Sequence, residues 1–172
     1  MLKSIICTLI VAVCSYMGYA YGEQFKRRYS NLKELQRAVL QLENEILYSY
    51  TSLPVAIDNV GDKSRGAVKE FLKDMASKLK ENYFDSVYQI FTSSYEVHKD
   101  KLDFKEEDAA LLDDLTKSLG EVDIIGHKKI FNLFSETIKG NIEDAEESMK
   151  RNQKMYRYLG LCAGLGIVIL IV

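Results

Sequence analysis

Between Ser4 and Gly22 the chain carries no charge over 19 consecutive residues, and Leu159 to Val172 carries none over the last 14. All 25 acidic residues lie between Glu23 and Glu147. At 1.5 Å per residue the first segment reaches about 28 Å as a helix, close to the roughly 30 Å of a bilayer core. The second reaches only about 21 Å, so it is short unless Tyr156 and Tyr158 extend it and the bilayer thins. The pattern therefore predicts a transmembrane helix over 1–22, a helical body over 23–157 and a second transmembrane helix over 158–172. A secretory signal is the competing reading of the first segment, with Lys3 as its basic end and Gly18-Tyr19-Ala20 as the cleavage site. The positive charges that follow at once, Lys26, Arg27 and Arg28, oppose export.

Those charges also set the orientation. Lys26, Arg27, Arg28, Lys33 and Arg37 follow the first span, and Lys150, Arg151, Lys154 and Arg157 precede the second. The positive-inside rule then places the body in the cytoplasm of a cell membrane protein. Residues 38–149 hold 23 acids and 13 bases, a charge of −10, and the two flanks supply +7. A basic collar suits anionic lipid, and an acidic head suits a basic partner. The net charge of −2 gives no field for nucleic acid. Gly18 with Gly22, and Gly160 with Gly164, form small-xxx-small pairs that let helix backbones approach closely.

The body reads as helix throughout, with a single proline in 172 residues. Ser30 or Asn31 is placed to cap a helix whose apolar residues Leu32, Leu35, Val39, Leu42 and Ile46 follow a 3-4-3-4 spacing. Pro54 then starts a short helix to about Val60, ended by Gly61-Asp62. Ser64 opens a third helix, Asp85 a fourth, and an Asp103/Glu106 capping box a fifth that Gly120 terminates. The sixth begins near Val122 and runs unbroken into the apolar C-terminus. Six helices on short loops make an all-α, antiparallel six-helix bundle.

Chemistry is thinly represented. Cys7, Cys14 and Cys162 all sit in the apolar ends, without metal-ligand or disulfide spacing. His98 and His127 stand apart with no thiol near, which suits bundle packing better than a metal site. Gly61-Asp62-Lys63-Ser64 lacks the glycine and the preceding strand of a phosphate loop. No nucleophile has a histidine at usable spacing. The reading is of a protein that is not an enzyme and holds no cofactor and no metal. Glu43 and Glu45, beside the first apolar seam, are either a polar flank or contacts for a basic partner.

The run Leu35-x2-Ala38-x3-Leu42-Glu43-x-Glu45-Ile46-x-Tyr48-x2-Thr51-x-Leu53-Pro54-x-Ala56 resembles the first part of the stage III sporulation protein AB family. Leu119-Gly120-x2-Asp123 and Asn152-x3-Tyr156-Arg157-x-Leu159-Gly160 extend the likeness over the whole chain. The resemblance implies a component of the channel between mother cell and forespore, in the outer forespore membrane. It also implies a fold like one copy of the six-helix domain of platform protein F of type II secretion and type IV pilus machines. The role implied is a scaffold that docks a cytoplasmic secretion-type ATPase to other channel membrane proteins. Carried over, Leu53, Pro54 and Gly120 shape turns, and Glu43, Glu45, Tyr48 and Asp123 are candidates for partner contact. His127 stands where the family pattern brings a glutamine, and joins the candidates with that departure. Platform proteins hold two such domains in one chain and this one holds one, so a two-domain platform requires a homo-oligomer.

Overall fold

A computed structural model describes residues 2–81, 86–121 and 124–171, without the side chains of 2–8, 120, 121, 124, 125, 127, 157, 161, 165, 170 and 171. The described residues form six helices and no strand: α1 (Leu2–Leu47), α2 (Leu53–Lys63), α3 (Gly66–Glu81), α4 (Val87–Leu102), α5 (Glu106–Glu121) and α6 (Ile124–Ile171). The all-α expectation and the unbroken sixth helix hold. Two compact units divide the chain, one of residues Ser30–Ile142 and one of Met1–Tyr29 with Glu143–Val172. Their boundaries fall inside the body expected over 23–157.

In the unit Ser30–Ile142 the 3-4-3-4 seam is the core face of α1, with Leu32, Leu35, Val39 and Leu42 buried and Ile46 packed at its edge. It meets Ile57 and Val60 of α2, Phe71 and Met75 of α3, Phe91 of α4, Leu112 and Leu115 of α5, and Phe131, Phe134 and Ile138 of α6. Phe71 stands edge-on to Phe91 with ring centroids 6.0 Å apart, the geometry aromatic quadrupoles favour. Short connections make α2/α3, α3/α4 and α4/α5 helical hairpins.

Polar groups on α1 complete the ends of two other helices. Asn31 does not begin a helix, because α1 runs through it without interruption. Its Nδ2 instead donates to the Lys101 and Leu102 carbonyls at 3.0 and 2.9 Å, two of the acceptors orphaned at the end of α4. Glu34 Oε1 accepts the Arg65 N–H at 3.0 Å, which caps the start of α3 and sets a carboxylate against its positive end. Ser64 therefore does not open α3. It closes α2, its N–H reaching the Val60 and Gly61 carbonyls and its Oγ donating to Val60.

Four other expected boundaries also change. Gly61 lies inside α2, where a Cβ would come within 2.9 Å of Lys73 Cδ, so packing against α3 explains the glycine. Asp103 caps the end of α4 in the left-handed conformation, and the start of α5 is capped by Asp108, whose Oδ2 accepts the Lys105 N–H at 3.0 Å. Asp108 is 1% exposed, and its Oδ1 also accepts from Asn141 Nδ2 of α6 at 2.9 Å. Gly120 is a helical residue of α5 and not its end. Ser86 is the N-cap of α4, its side chain accepting from the Gln89 N–H, and Asp85 lies outside the described residues.

The other unit is a helix pair closed by glycine. A Cβ on Gly18 would meet the Tyr156 carbonyl at 2.6 Å and Gly160 Cα at 2.9 Å, and one on Gly160 would meet the Cys14 carbonyl at 2.8 Å. Gly164 sits against Val11 and Cys14, and Gly22 against Gln153. The two small-xxx-small pairs thus face each other. Tyr156 stacks on both Tyr21 and Phe25. Among the described residues no helix is long and apolar enough to cross a membrane, so they do not support the spans expected over 1–22 and 158–172.

Candidate functional site

Three of the sequence candidates, Glu43, Glu45 and Tyr48, lie where α1 passes into α2. The last turn of α1 widens: Tyr48 and Ser49 both donate to the Asn44 carbonyl at 3.1 Å, and Thr51 donates to the Glu45 carbonyl at 2.9 Å. Tyr50 supplies the reversal with φ of 53°, a left-handed conformation that costs a non-glycine residue about 1–2 kcal/mol. Ser52 and Leu53 lead into α2, with Pro54 in its first turn, where its missing N–H leaves no bond unmade.

Glu45 holds this corner. Its Oε2 accepts Thr51 Oγ1 at 3.1 Å and Asn59 Nδ2 at 3.4 Å, and its Oε1 accepts Lys63 Nζ at 3.2 Å. The Lys63 hydrogen bond, then that of Thr51, holds the Glu45 carboxyl below the usual glutamate range. Both oxygens are spent inside the protein, so Glu45 is a brace. Glu43, half-buried two residues earlier, makes no hydrogen bond or ion pair among the described residues. Tyr48 is 69% exposed and Tyr50 77%. Val55 is also exposed, so the corner offers two aromatic rings and an apolar side chain to solvent, with one uncommitted carboxylate on the helix leading into it.

Below the corner, Asp58 accepts from Lys73 and from Lys80 Nζ, at 2.5 and 2.6 Å. The Lys73 hydrogen bond, with that of Lys80 next, lowers the Asp58 carboxyl to about 2. Lys73 also reaches Asp62 at 2.9 Å. These pairs tie α2 to α3 and leave the corner little freedom.

The basic flank is less uniform than its sequence. Arg28 is a buried side chain paired with Asp144 at 2.9 Å, and it leaves the set of charges available to lipid. The reason is its register: Arg28, Leu32, Leu35 and Val39 follow one 4-3-4 stripe, the inward one. Lys26 pairs with Glu23 at 3.0 Å, Lys150 with Glu146 at 2.6 Å, and Arg151 loosely with Glu147 at 3.9 Å. Lys150, Arg151 and Lys154 are exposed, as are Lys26 and Arg27. The Arg157 and His127 side chains and all of Asp123 lie outside the described residues. Gly120 is in α5 and Asp123 beyond it, and nothing described brings them to the corner.

Sequence reasoning missed Tyr50, Asn59 and Lys63. An exposed tyrosine in a left-handed turn has no local signature, and Lys63 is 18 residues from the carboxylate it meets. Among the described residues no three His, Cys, Asp or Glu side chains converge as a metal site.

Comparison with known proteins agrees with this architecture. A solved structure of a stage III sporulation protein AB superposes with a TM-score of 0.67 at 23% identity, covering 72% of this chain and 97% of that one. The stage III sporulation protein AB of Bacillus subtilis (strain 168) is 26% identical over 171 residues, 99% of each chain. The family model described as stage III sporulation protein AB matches residues 3–172. With its six helices and nearly its entire length accounted for, the chain belongs to the stage III sporulation protein AB family.

Proposed function

We propose that this chain is a membrane-anchored scaffold of the sporulation channel, and that the α1–α2 corner docks a cytoplasmic secretion-type ATPase. The observation that carries the docking is the corner itself. Two exposed tyrosines are held on a rigid turn by a three-donor carboxylate brace, a preorganised surface of the kind that aromatic anchors use. The charge of −10 over residues 38–149 steers a basic partner toward it.

Membrane attachment is argued from the sequence and from the exposed side chains of the helix pair. Leu9, Val13, Tyr16, Met17, Leu159, Ile167 and Ile169 are all exposed, a concentration of apolar side chains on the surface that marks an interaction site. Exposed Tyr19, Tyr21 and Tyr158 sit toward the charged side, where rings favour the lipid interface. Helix α1 continues through Gly18-Tyr19-Ala20, and Gly18 is packed on Gly160. That favours retention of the first segment over cleavage as a signal.

The test is binding of the full-length chain, in neutral detergent, to the ATPase of the same channel. Tyr48→Ala and Glu43→Lys are each expected to weaken binding about tenfold, about 1.4 kcal/mol, with further weakening as salt rises. Binding that ignores both substitutions sinks the corner as the docking site. Absence of any binding sinks the adaptor reading.

A further inference from the structure

A second surface lies along the flank of α5, apart from the corner. Asp108 and Asn141 join the start of α5 to α6 at 2.9 Å, so the two helices run antiparallel and leave a groove between them. The groove encloses about 360 Å³. Its floor is Leu111, Leu115, Ile130 and Phe134, and Leu133 stands at its lip, 63% exposed. Small residues keep it open, Ala110 and Ser118 on α5 facing Thr137 on α6.

The rim is acidic. Glu107 and Asp114 border the floor, and among the described residues no lysine or arginine lines it. They are seven residues apart, about two turns or 10 Å along one helix. The whole of α5 carries six carboxylates and one lysine. Asp114 makes no ion pair among the described residues, and Glu107, itself exposed, has Lys105 at 3.4 Å among its contacts. Such a surface pair is worth little and is readily exchanged.

We propose that this groove binds a cationic amphipathic α-helix of a partner protein. Its apolar stripe would rest on Leu111, Leu115 and Phe134 beside Leu133, with lysines or arginines set about two turns apart against Glu107 and Asp114. A groove formed by two antiparallel helices takes a third helix through anchors at i, i+3, i+4 and i+7. A second copy of this chain is the competing occupant, and its self-association is one outcome of the test.

The experiment uses the full-length chain in neutral detergent and a fluorescent helical peptide with leucines at i, i+3, i+4 and i+7 and lysines between. Fluorescence anisotropy compares it with a scrambled peptide of the same composition. The expected result is saturable binding of the amphipathic peptide alone. Asp114→Lys and Leu133→Glu, both at exposed positions, are each expected to weaken it at least about tenfold, while Tyr48→Ala leaves it unchanged. Equal binding of the scrambled peptide overturns the proposal, as does indifference to both groove variants. Concentration-dependent self-association that Leu133→Glu abolishes assigns the groove to a second copy and overturns it too. Because Tyr48→Ala separates the two surfaces, failure of the corner and failure of the groove are distinct results.

Discussion

The two compact units solve helix packing in opposite ways. In Ser30–Ile142, large side chains interlock: Phe71, Phe131, Leu35 and Ile138 are each no more than 2% exposed. In the helix pair of 1–29 and 143–172 the contact is made by what is missing, with Gly18 and Gly160 bringing backbone onto backbone. The first arrangement draws its stability from removing apolar surface from water. The second gains from the close van der Waals contact that small-xxx-small pairs allow, with Tyr156 stacked on Tyr21 and Phe25 beside it. Charge divides the same way, with 15 bases and 20 acids in the first unit and 8 bases and 5 acids in the second.

If that contrast is right, substitutions should damage one unit and spare the other. Phe71→Ala removes the ring at the centre of the bundle and is expected to cost about 3–5 kcal/mol. Denaturation followed by circular dichroism reads the loss, and hydrogen exchange over residues 9–22 should not change. Gly160→Leu forces a side chain into the Cys14 carbonyl and Gly18, an overpacking of about 1–3 kcal/mol. Faster exchange over residues 9–22, with the bundle's melting point unmoved, is the expected signature. Loss of both units together would erase the distinction.

Asn31→Ala tests a smaller feature of the bundle. It deprives the end of α4 of two hydrogen bonds and is expected to lower stability by about 1 kcal/mol, read as a drop in melting temperature. Smallest is the acid response. The Asp58 carboxyl lies at about 2 in the folded chain, against about 3.9 unfolded. Its ion pairs therefore stabilise the bundle fully above pH 4, and that contribution fades as pH falls from 4 to 2. Asp58→Asn should flatten the decline in melting temperature over that window and leave neutral stability slightly reduced. An unchanged acid profile would remove Asp58 from the account.

Much of this was legible in the sequence because it depends on periodicity. The seam from Leu32 to Ile46, the start at Pro54, the unbroken α6 and the small-xxx-small spacing of the glycines all rest on spacings that a helix turns directly into neighbours. What stayed hidden depends on residues far apart in the chain. Asn31 looked like the beginning of a helix because its side chain suits a cap, and it does cap one, but at the end of α4. Arg28 counted among the membrane-facing charges until its place on the inward stripe buried it against Asp144. Glu45 looked free because Lys63 and Asn59 arrive from the next helix. Asp108 stood in an acidic run, with nothing local to mark it as the buried member.

The turn at Tyr50 has one further consequence, for engineering. Glycine would occupy that left-handed position without the penalty of about 1–2 kcal/mol that tyrosine carries. Replacing Tyr50 by glycine would thus yield a sturdier bundle while deleting one of the two rings that the corner displays. If the corner docks as proposed, stability and recognition pull against each other at this residue, and a thermostabilised variant chosen by melting point alone would select for the loss of one of its rings.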